Sequence, residues 1–267
     1  MKITMRNLGF AYSGKPIFEN FNAEFESSET GRPVVILGPS GSGKTTLLKL
    51  MGGLFKPGGG EMFFHLHEHC STANCSPSRC KEKPRAAFMF QEPRLLPWLT
   101  VLENIRIPLE KDIGVEEAAS RASHFLSLVS LSDKNKKYPR ELSGGEAQRV
   151  SMARAFAWKA PLLLMDEPFQ SLDIPLRLSL MDLTMSLLER VDYSQNDHSN
   201  KNRFLVAVTH DPREAIYMAG RIIVLGKSGE GIVFDRAVDL SAADRAYGSA
   251  AAVKLEKEII LKLEISN

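Results

Sequence analysis

The sequence predicts an α/β fold with a parallel β-sheet at its core. Four short apolar runs have the length and composition of buried strands, and they lie at residues 34–37, 162–165, 204–208 and 222–225. Stretches with helical spacing, at residues 176–191 and 212–219, separate the last three runs. Strands that alternate with helices in this way pair in parallel, because each helix carries the chain back across the sheet.

An N-terminal antiparallel β-subdomain and a helical subdomain are expected beside this core. Residues 2–12, and the alternating apolar side chains that follow a turn at residues 13–16, predict antiparallel strands. The helical subdomain is expected at about residues 92–158. Its helical periodicity runs from residue 102 to residue 158, with amphipathic patterns at residues 115–131 and 146–158. We therefore expect one antiparallel layer before the core strands and one helical layer inserted between them.

The whole chain, residues 1–267, is predicted to form one domain. An amphipathic segment at residues 251–263 has the pattern of a helix that closes the fold. Polar composition predicts surface loops at residues 65–84 and 192–202, and the first of these is rich in His and Cys.

Composition and charge exclude several functional classes. The 267 residues are 43% hydrophobic and 25% charged, which is typical of a globular protein and excludes a disordered chain. The 34 basic and 32 acidic residues give a net charge of +2, so no nucleic-acid partner is expected. No apolar run approaches the roughly 20 residues of a membrane span, and the N-terminus lacks a signal peptide. The chain is therefore expected in the cytosol.

Residues 38–45 fit the pattern G-x-x-x-x-G-K-[ST] of the P-loop, in which glycines let successive backbone N–H groups surround phosphate oxygens. Lys44 is expected to neutralise the β- and γ-phosphates of ATP, and Thr45 to bind Mg²⁺. Thr46 and the N-terminus of the helix that follows are expected to add the positive end of the helix dipole. The motif lies between a predicted strand and a predicted helix, which favours a phosphate site over an incidental turn. The candidate nucleotide-binding residues are Gly38, Pro39, Ser40, Gly41, Ser42, Gly43, Lys44, Thr45 and Thr46.

Two carboxylates follow the second buried strand. Asp166 and Glu167 come directly after residues 162–165, at the strand end where ligands bind in parallel sheets. Asp166 is expected to hold Mg²⁺, directly or through water, and Glu167 to be the general base that orients and deprotonates the attacking water. Alone, such a pair is more often a solvated strand end; the upstream P-loop favours the catalytic interpretation.

Residues 142–149, with the sequence LSGGEAQR, form the third motif. Ser143 and Glu146 have the spacing of a capping box, so the segment predicts a helix N-terminus. Gly144 and Gly145 behind that serine also make the N-terminus an anion site. The chain thus carries a second phosphate-binding surface besides the P-loop.

This third motif resembles the signature motif of ABC transporter ATPases, which in that family binds the γ-phosphate held by the P-loop of a partner subunit. Further family positions are matched over residues 2–234. They are Tyr12 for the aromatic that stacks on adenine, Gln91 for the glutamine that senses Mg²⁺ and the membrane subunit, Ser171, Leu172 and Asp173 for the loop that crosses the dimer interface, and His210 for the switch histidine.

The resemblance implies a P-loop NTPase of the ABC ATPase type with a RecA-like core, which closes as a homodimer on two ATP molecules. Glu167, His210 and Gln91 would then be catalytic, and Gln91 would join Thr45 and Asp166 around Mg²⁺. Two local departures from the family touch no catalytic position: Gln170 replaces a usual glycine, and Gly31, Arg32 and Pro33 replace a common Gly-Glu. Tyr12 and His210 also have a purely structural interpretation, as a packing aromatic and as part of a helix start.

Residues 91–105 resemble the segment by which importer ATPases of the nitrate/sulfonate/taurine group receive their permease. An exposed Leu-Leu-Pro-Trp patch at residues 95–98 would suit a partner helix, and the alternative is a loop buried against the helical subdomain. The resemblance implies two permease subunits, an extracytoplasmic solute-binding protein and a peripheral location at the cytoplasmic face of the membrane. Non-transport ABC ATPases are the alternative class. The solute stays open among taurine, other sulfonates, nitrate and thiamine-like heterocycles.

The His/Cys-rich segment suggests a second site. Cys70, Cys75 and Cys80 follow alternating histidines and could bind Zn²⁺ or another soft metal. Their C-x₄-C-x₄-C spacing lies at the edge of zinc patterns, and histidines that alternate along a strand share one face without closing a tetrahedron. A plain surface insertion is therefore the favoured interpretation of this segment.

Overall fold

A six-stranded sheet forms the centre of the fold in the computed structural model, which describes residues 1–28, 30–65, 83–170, 172–189 and 203–265. The strands are β3 (Val34–Leu37), β5 (Ala86–Met89), β6 (Leu162–Asp166), β7 (Phe204–Val208), β8 (Arg221–Leu225) and β9 (Ile232–Ala237), in the spatial order β5-β6-β7-β3-β8-β9. All neighbours pair in parallel except β8 and β9. The predicted α/β class with a parallel-sheet core is confirmed.

The antiparallel edge strand β9 is an addition to the parallel core that the apolar pattern predicted. A short turn after Leu225 joins β8 to β9 directly, and Gly229 and Gly231 adopt φ values of 92° and 76° in it. A tight turn reverses the chain, so the two strands must run antiparallel. β9 begins with three apolar residues that are only partly buried and ends with three exposed ones, so its apolar run is shorter than those of the core strands.

A three-stranded antiparallel sheet packs on one face of this core, as predicted. β1 (Lys2–Tyr12) lies between β2 (Lys15–Glu26) and β4 (Gly59–His65). The inward side chains of these strands share an apolar cluster with β3 and with α1 (Lys44–Gly52). This cluster fixes α1, and therefore the loop before it, between two sheets.

The helical layer covers the opposite face of the central sheet. It contains α2 (Val101–Ile113), α3 (Val115–Leu128) and α4 (Gly144–Ala157), whose buried side chains belong to one large cluster. Helix α3 ends three residues before the predicted position, because Ser130 adopts a left-handed φ of 57° that an α-helix cannot continue. Capping boxes start α2 at Thr100 and α4 at Ser143.

Three further helices complete the core: α5 (Ile174–Glu189), α6 (Pro212–Met218) and the closing helix α7 (Ala250–Ile265). Buried Arg245, in the segment that precedes α7, donates through its guanidinium to the carbonyls of Ile216 and Ala219 at the end of α6. Within the described ranges, no helix has both the length and the apolar character that a bilayer span requires.

The packing of α2 makes a stability prediction with a matched control on the same helix. Ile105 is fully buried, whereas Ile107 is 49% exposed. Ile105→Ala should lower the free energy of unfolding by about 2–5 kcal/mol, because it removes buried methyl groups and leaves a cavity. Ile107→Ala should change it by less than about 1 kcal/mol. Urea denaturation followed by circular dichroism measures both, and equal losses would contradict the assigned helix face.

Candidate functional site

The P-loop connects β3 to α1 and is pressed against neighbouring strands. Gly43 precedes the helix with a φ of 93°, and a Cβ atom there would come within 2.8 Å of Ile17 and 2.7 Å of Phe18. A Cβ atom at Gly38 would lie 2.7 Å from the carbonyl oxygen of Leu225. The glycines that the motif requires are therefore required sterically as well.

Lys44 is buried inside this loop with its ammonium group turned towards the loop backbone. Its Nζ atom donates to the carbonyl oxygens of Gly38 at 2.8 Å and Pro39 at 2.9 Å. Burial lowers the pKa of Lys44, and the negative charges of Glu167 and Asp166 oppose that shift. The cation is thus held at the point where the P-loop pattern places the phosphates.

Thr45 and Asp166 form a pair of oxygen donors beside Lys44. The Thr45 hydroxyl donates to Asp166 Oδ1 at 2.8 Å, and Asp166 is 9% exposed. Burial raises the pKa of Asp166, and the Thr45 hydrogen bond opposes this shift. A hydroxyl and a carboxylate at this spacing are oxygen donors of the kind that Mg²⁺ prefers, so the residues fit the ion that the motifs imply.

Glu167 and His210 meet at the ends of β6 and β7. Glu167 Oε2 lies 3.1 Å from His210 Nδ1, and the side chains are 19% and 56% exposed. Glu167 has a left-handed φ of 47°, while its N–H group donates to the carbonyl of Val208. A left-handed backbone at a non-glycine residue is a strained conformation that clusters at functional sites. The structure brings the two residues together, as expected of a base and its partner.

The third motif is exposed at the N-terminus of α4. Glu146 Oε2 accepts from the Ser143 N–H at 2.8 Å, and the Glu146 N–H donates to Ser143 Oγ, so the predicted capping box is confirmed. Among the described residues, apart from its chain neighbours and its own helix backbone, no atom lies within 4 Å of the position of a Cβ atom on Gly144. A Cβ atom on Gly145 would come within 2.6 Å of Leu176. Gly145 is packed and Gly144 is open to a ligand.

Tyr12 and Asp173 each form a hydrogen bond with the first turn of a helix. Tyr12 is 42% exposed, packs edge-on against Phe10 and Phe55, and accepts from the Thr46 hydroxyl at 3.4 Å. Asp173 caps α5 by accepting from the Leu176 N–H.

Gln91 hydrogen-bonds to Gln170, the residue that departs from the family pattern. In the described part of the chain it makes no hydrogen bond to Thr45 or Asp166. The structure therefore brings together two of the three expected Mg²⁺ ligands, Thr45 and Asp166, while Gln91 is paired with Gln170. Ser171 lies outside the described residues.

Comparison with known proteins decides the family. A sequence model of the ABC transporter family matches residues 20–170. The chain belongs to the ABC transporter family. The aliphatic sulfonates import ATP-binding protein of Corynebacterium glutamicum is 36% identical over 250 residues, which cover 93% of this chain and 89% of that protein. The corresponding protein of Rhodopseudomonas palustris is 36% identical over 263 residues, which cover 98% and 83%.

Solved ABC structures have the same fold. The ATP-binding cassette MJ0796, in a dimeric post-hydrolysis state bound to ADP and Pi, is 29% identical with a TM-score of 0.68, and the match covers 90% of this chain and all of that one. A second dimeric structure of MJ0796 is 30% identical with a TM-score of 0.69. The resemblance drawn from the motifs and the fold class of an ABC ATPase are confirmed.

Two side chains of α4 that sequence analysis missed connect this ABC protein's motifs to each other. Gln148, which is 5% exposed, donates to the carbonyl of Pro168 beside Glu167 at 2.6 Å. Arg154 donates to the carbonyls of Pro93 and Arg94, just after Gln91. Gln148 lies inside the motif at residues 142–149, so its position in the sequence could have indicated a functional contact. Arg154 has no sequence signal that distinguishes it from any other helical arginine.

The proposed soft-metal residues Cys70, Cys75 and Cys80 lie outside the described residues. The ranges that the structure describes contain no group of three or more His, Cys, Asp or Glu side chains placed to hold a metal. His65, at the end of β4, is the one histidine of that segment within them.

The glycine geometry makes a prediction about the protein without nucleotide. Gly43→Ala should lower the free energy of unfolding by about 1–3 kcal/mol, because alanine is strained at this φ and its Cβ atom meets Phe18. Gly144→Ala places a Cβ atom in open space at a helix start and should change stability by less than about 1 kcal/mol. Urea denaturation compares them, and equal stability of the two variants would refute the steric argument.

Proposed function

We propose that this ABC protein is the ATP-binding and ATP-hydrolysing subunit of a bacterial importer of the nitrate/sulfonate/taurine-like group. The observation that carries the proposal is the Glu167–His210 contact beside buried Lys44 and the Thr45–Asp166 pair. Two relatives are named for the import of aliphatic sulfonates, and a protein of Mesorhizobium japonicum that is 34% identical is named for the import of sulfate/thiosulfate. These names support a sulfonate or a related oxyanion as the solute.

In the proposed reaction, the residues of the site bind the phosphates of ATP, neutralise their charge and accept a proton from water. The P-loop N–H groups and Lys44 hold the β- and γ-phosphates of ATP. Thr45 and Asp166 would hold Mg²⁺, which would neutralise negative charge on the phosphate oxygens. Glu167 accepts the proton of the attacking water, and His210 keeps the Glu167 carboxylate oriented through the contact at Oε2.

A second copy of the chain completes the site. Ser143 and Gly144 are exposed, so the anion site at the start of α4 is free to face another molecule. Each ATP would lie between the P-loop of one subunit and Ser143, Gly144 and Gly145 of its partner, with Asp173 at the interface. The dimeric MJ0796 structures support this arrangement. Closure on ATP would do the mechanical work, and hydrolysis would reopen the dimer.

The docking loop, residues 95–98, is the proposed contact with the permease. Trp98 is 70% exposed, while Leu95 packs against the main core. Asn104 is buried beneath the loop, where it accepts from the Leu96 N–H at 2.7 Å and donates to the carbonyls of Leu96 and Leu99. A rigid loop that presents one exposed aromatic side chain is suited to a partner helix. Two permease subunits would hold the protein at the cytoplasmic face of the membrane and receive solute from a binding protein on the other side.

The role of Glu167 makes the decisive prediction. Glu167→Gln keeps the side-chain volume but removes the base, so ATP should still bind while kcat for hydrolysis falls by about 10²–10⁴-fold. ATP should trap the variant as a dimer, which size-exclusion chromatography detects. Glu117→Gln, at an exposed carboxylate of α3, is the control and should hydrolyse ATP normally. Ordinary turnover by Glu167→Gln would refute the proposed mechanism.

The docking loop makes a separate prediction. With its permease co-expressed, Trp98→Ala should reduce the fraction of protein recovered with membranes by about tenfold, since hot-spot aromatic residues contribute about 2 kcal/mol or more to binding. ATP hydrolysis by the isolated protein should not change. Val115→Ala removes a comparably exposed apolar side chain on α3 and should stay on membranes. Wild-type protein that co-purifies with DNA or ribosomes instead would favour a non-transport ABC ATPase.

A further inference from the structure

Arg177 lies in the first turn of α5, directly after the loop that carries Leu172 and Asp173. Its N–H donates to the Asp173 carbonyl at 2.9 Å, and the Asp173 side chain caps the same turn. The guanidinium group reaches Asp211 in the segment after β7, and the Arg177 side chain is 22% exposed. None of the motifs in the sequence includes this residue.

The guanidinium group connects two loops that follow different strands. Nη1 donates to Asp211 Oδ2 at 2.9 Å and lies 3.4 Å from Glu214 Oε1. Nη2 donates to the carbonyl of Leu172 at 3.2 Å. Arginine is suited to this position because its planar fork can address several acceptors in fixed directions, which a lysine ammonium cannot do.

The carboxylates on one side belong to Asp211 and Glu214, which lie in the segment that follows His210. Asp211 follows His210 directly, and its second carboxylate oxygen accepts from the Arg213 N–H to start α6. Thr209 precedes His210, donates to Glu214 through its hydroxyl at 2.5 Å and accepts from the Asp211 N–H at 3.1 Å. The His210 loop, residues 209–211, is therefore held on both sides of the histidine.

His210 depends on this support because its own side chain has little packing. It is more than half exposed, and its ring reaches Glu167 at 3.1 Å. A shift of the backbone on either side would move the ring away from Glu167. Misplacement of a reacting group by about 1 Å can reduce a rate about 10²-fold.

We propose that Arg177 is a positioning residue that fixes the His210 loop against the loop after β6, so that His210 stays in contact with Glu167. The inference rests on the proposed roles of Glu167 and His210 in hydrolysis. The Arg177 guanidinium is engaged with Asp211, Glu214 and the Leu172 carbonyl. It acts through Asp211 and Glu214, and its loss should lower kcat while the P-loop still binds nucleotide.

The test is a kinetic cycle in the purified full-length protein. Arg177→Met should lower kcat for ATP hydrolysis by about 10- to 100-fold and change the KM for ATP by less than about twofold. In a His210→Ala background, Arg177→Met should cause less than about a twofold further loss, because both changes remove the same contact. Arg177→Lys keeps one charge near Asp211 and should recover part of the rate.

Two variants separate positioning from folding. Arg177→Met leaves the buried Glu214 carboxylate without its ion-pair partner. Glu214→Gln removes that charge, so the double variant should show the same loss of kcat with a wild-type unfolding midpoint. Arg213→Met is the matched control, because this nearby arginine pairs through its side chain with Glu256 on α7 and should keep full activity.

The possible failures are distinguishable. Full kcat in folded Arg177→Met, or losses that multiply independently in the His210→Ala background, would overturn the role of Arg177. If His210→Ala itself retained full kcat, the proposed catalytic role of His210 would fail, and the role of Arg177 would fail with it. If only His210→Ala lost activity, the proposed function would stand without Arg177.

Discussion

The parallel pairing of three central strands is the constraint on which the candidate site depends. β3 and β6 both pair with β7, with Ile36 and Asp166 each opposite Val208. Parallel strands that share a register end at the same edge of a sheet, and the loops that follow them must meet there. The P-loop, Glu167 and His210 come from three distant parts of the sequence, and this pairing is what places them together.

Burial of charge is the second physical feature of this edge. Lys44 interacts electrostatically with Glu167 and Asp166, and Arg177 forms ion pairs with Asp211 and Glu214. Burial raises the pKa of Asp166 and of Glu214, and it lowers the pKa of Lys44, so each charge depends on its partners. Removing one member of such a group is more costly than the contact alone suggests, because the remaining charge stays buried and unpaired.

Helix α4 links the parts of the molecule that contact different partners in the proposed mechanism. Its N-terminus presents Ser143 to a second subunit, Gln148 supports the loop after β6, and Arg154 holds the backbone that leads into the docking loop. One rigid helix thus supports the proposed dimer contact and the proposed permease contact together. Movement of the docking loop relative to the P-loop would therefore also move the anion site at Ser143.

The amino-acid sequence was sufficient to predict the ABC ATPase family and the class of fold. The P-loop at residues 38–45 needs only local order, and apolar runs predict buried strands because each such strand is covered on both faces. Family membership followed from the same motifs, since residues 142–149 are specific enough to carry it. The Ser143 capping box was predictable for the same reason, because both partners lie within one turn.

Tertiary structure alone decided which distant groups meet. The Glu167–His210 contact spans 43 residues, the Arg177–Asp211 contact spans 34, and Gln91 pairs with Gln170 rather than with Asp166. The antiparallel pairing of β9 and the hydrogen bonds of Arg154 also left no pattern in the sequence. Side-chain periodicity reports whether a residue is buried in its own element, but not which residue of another element lies against it.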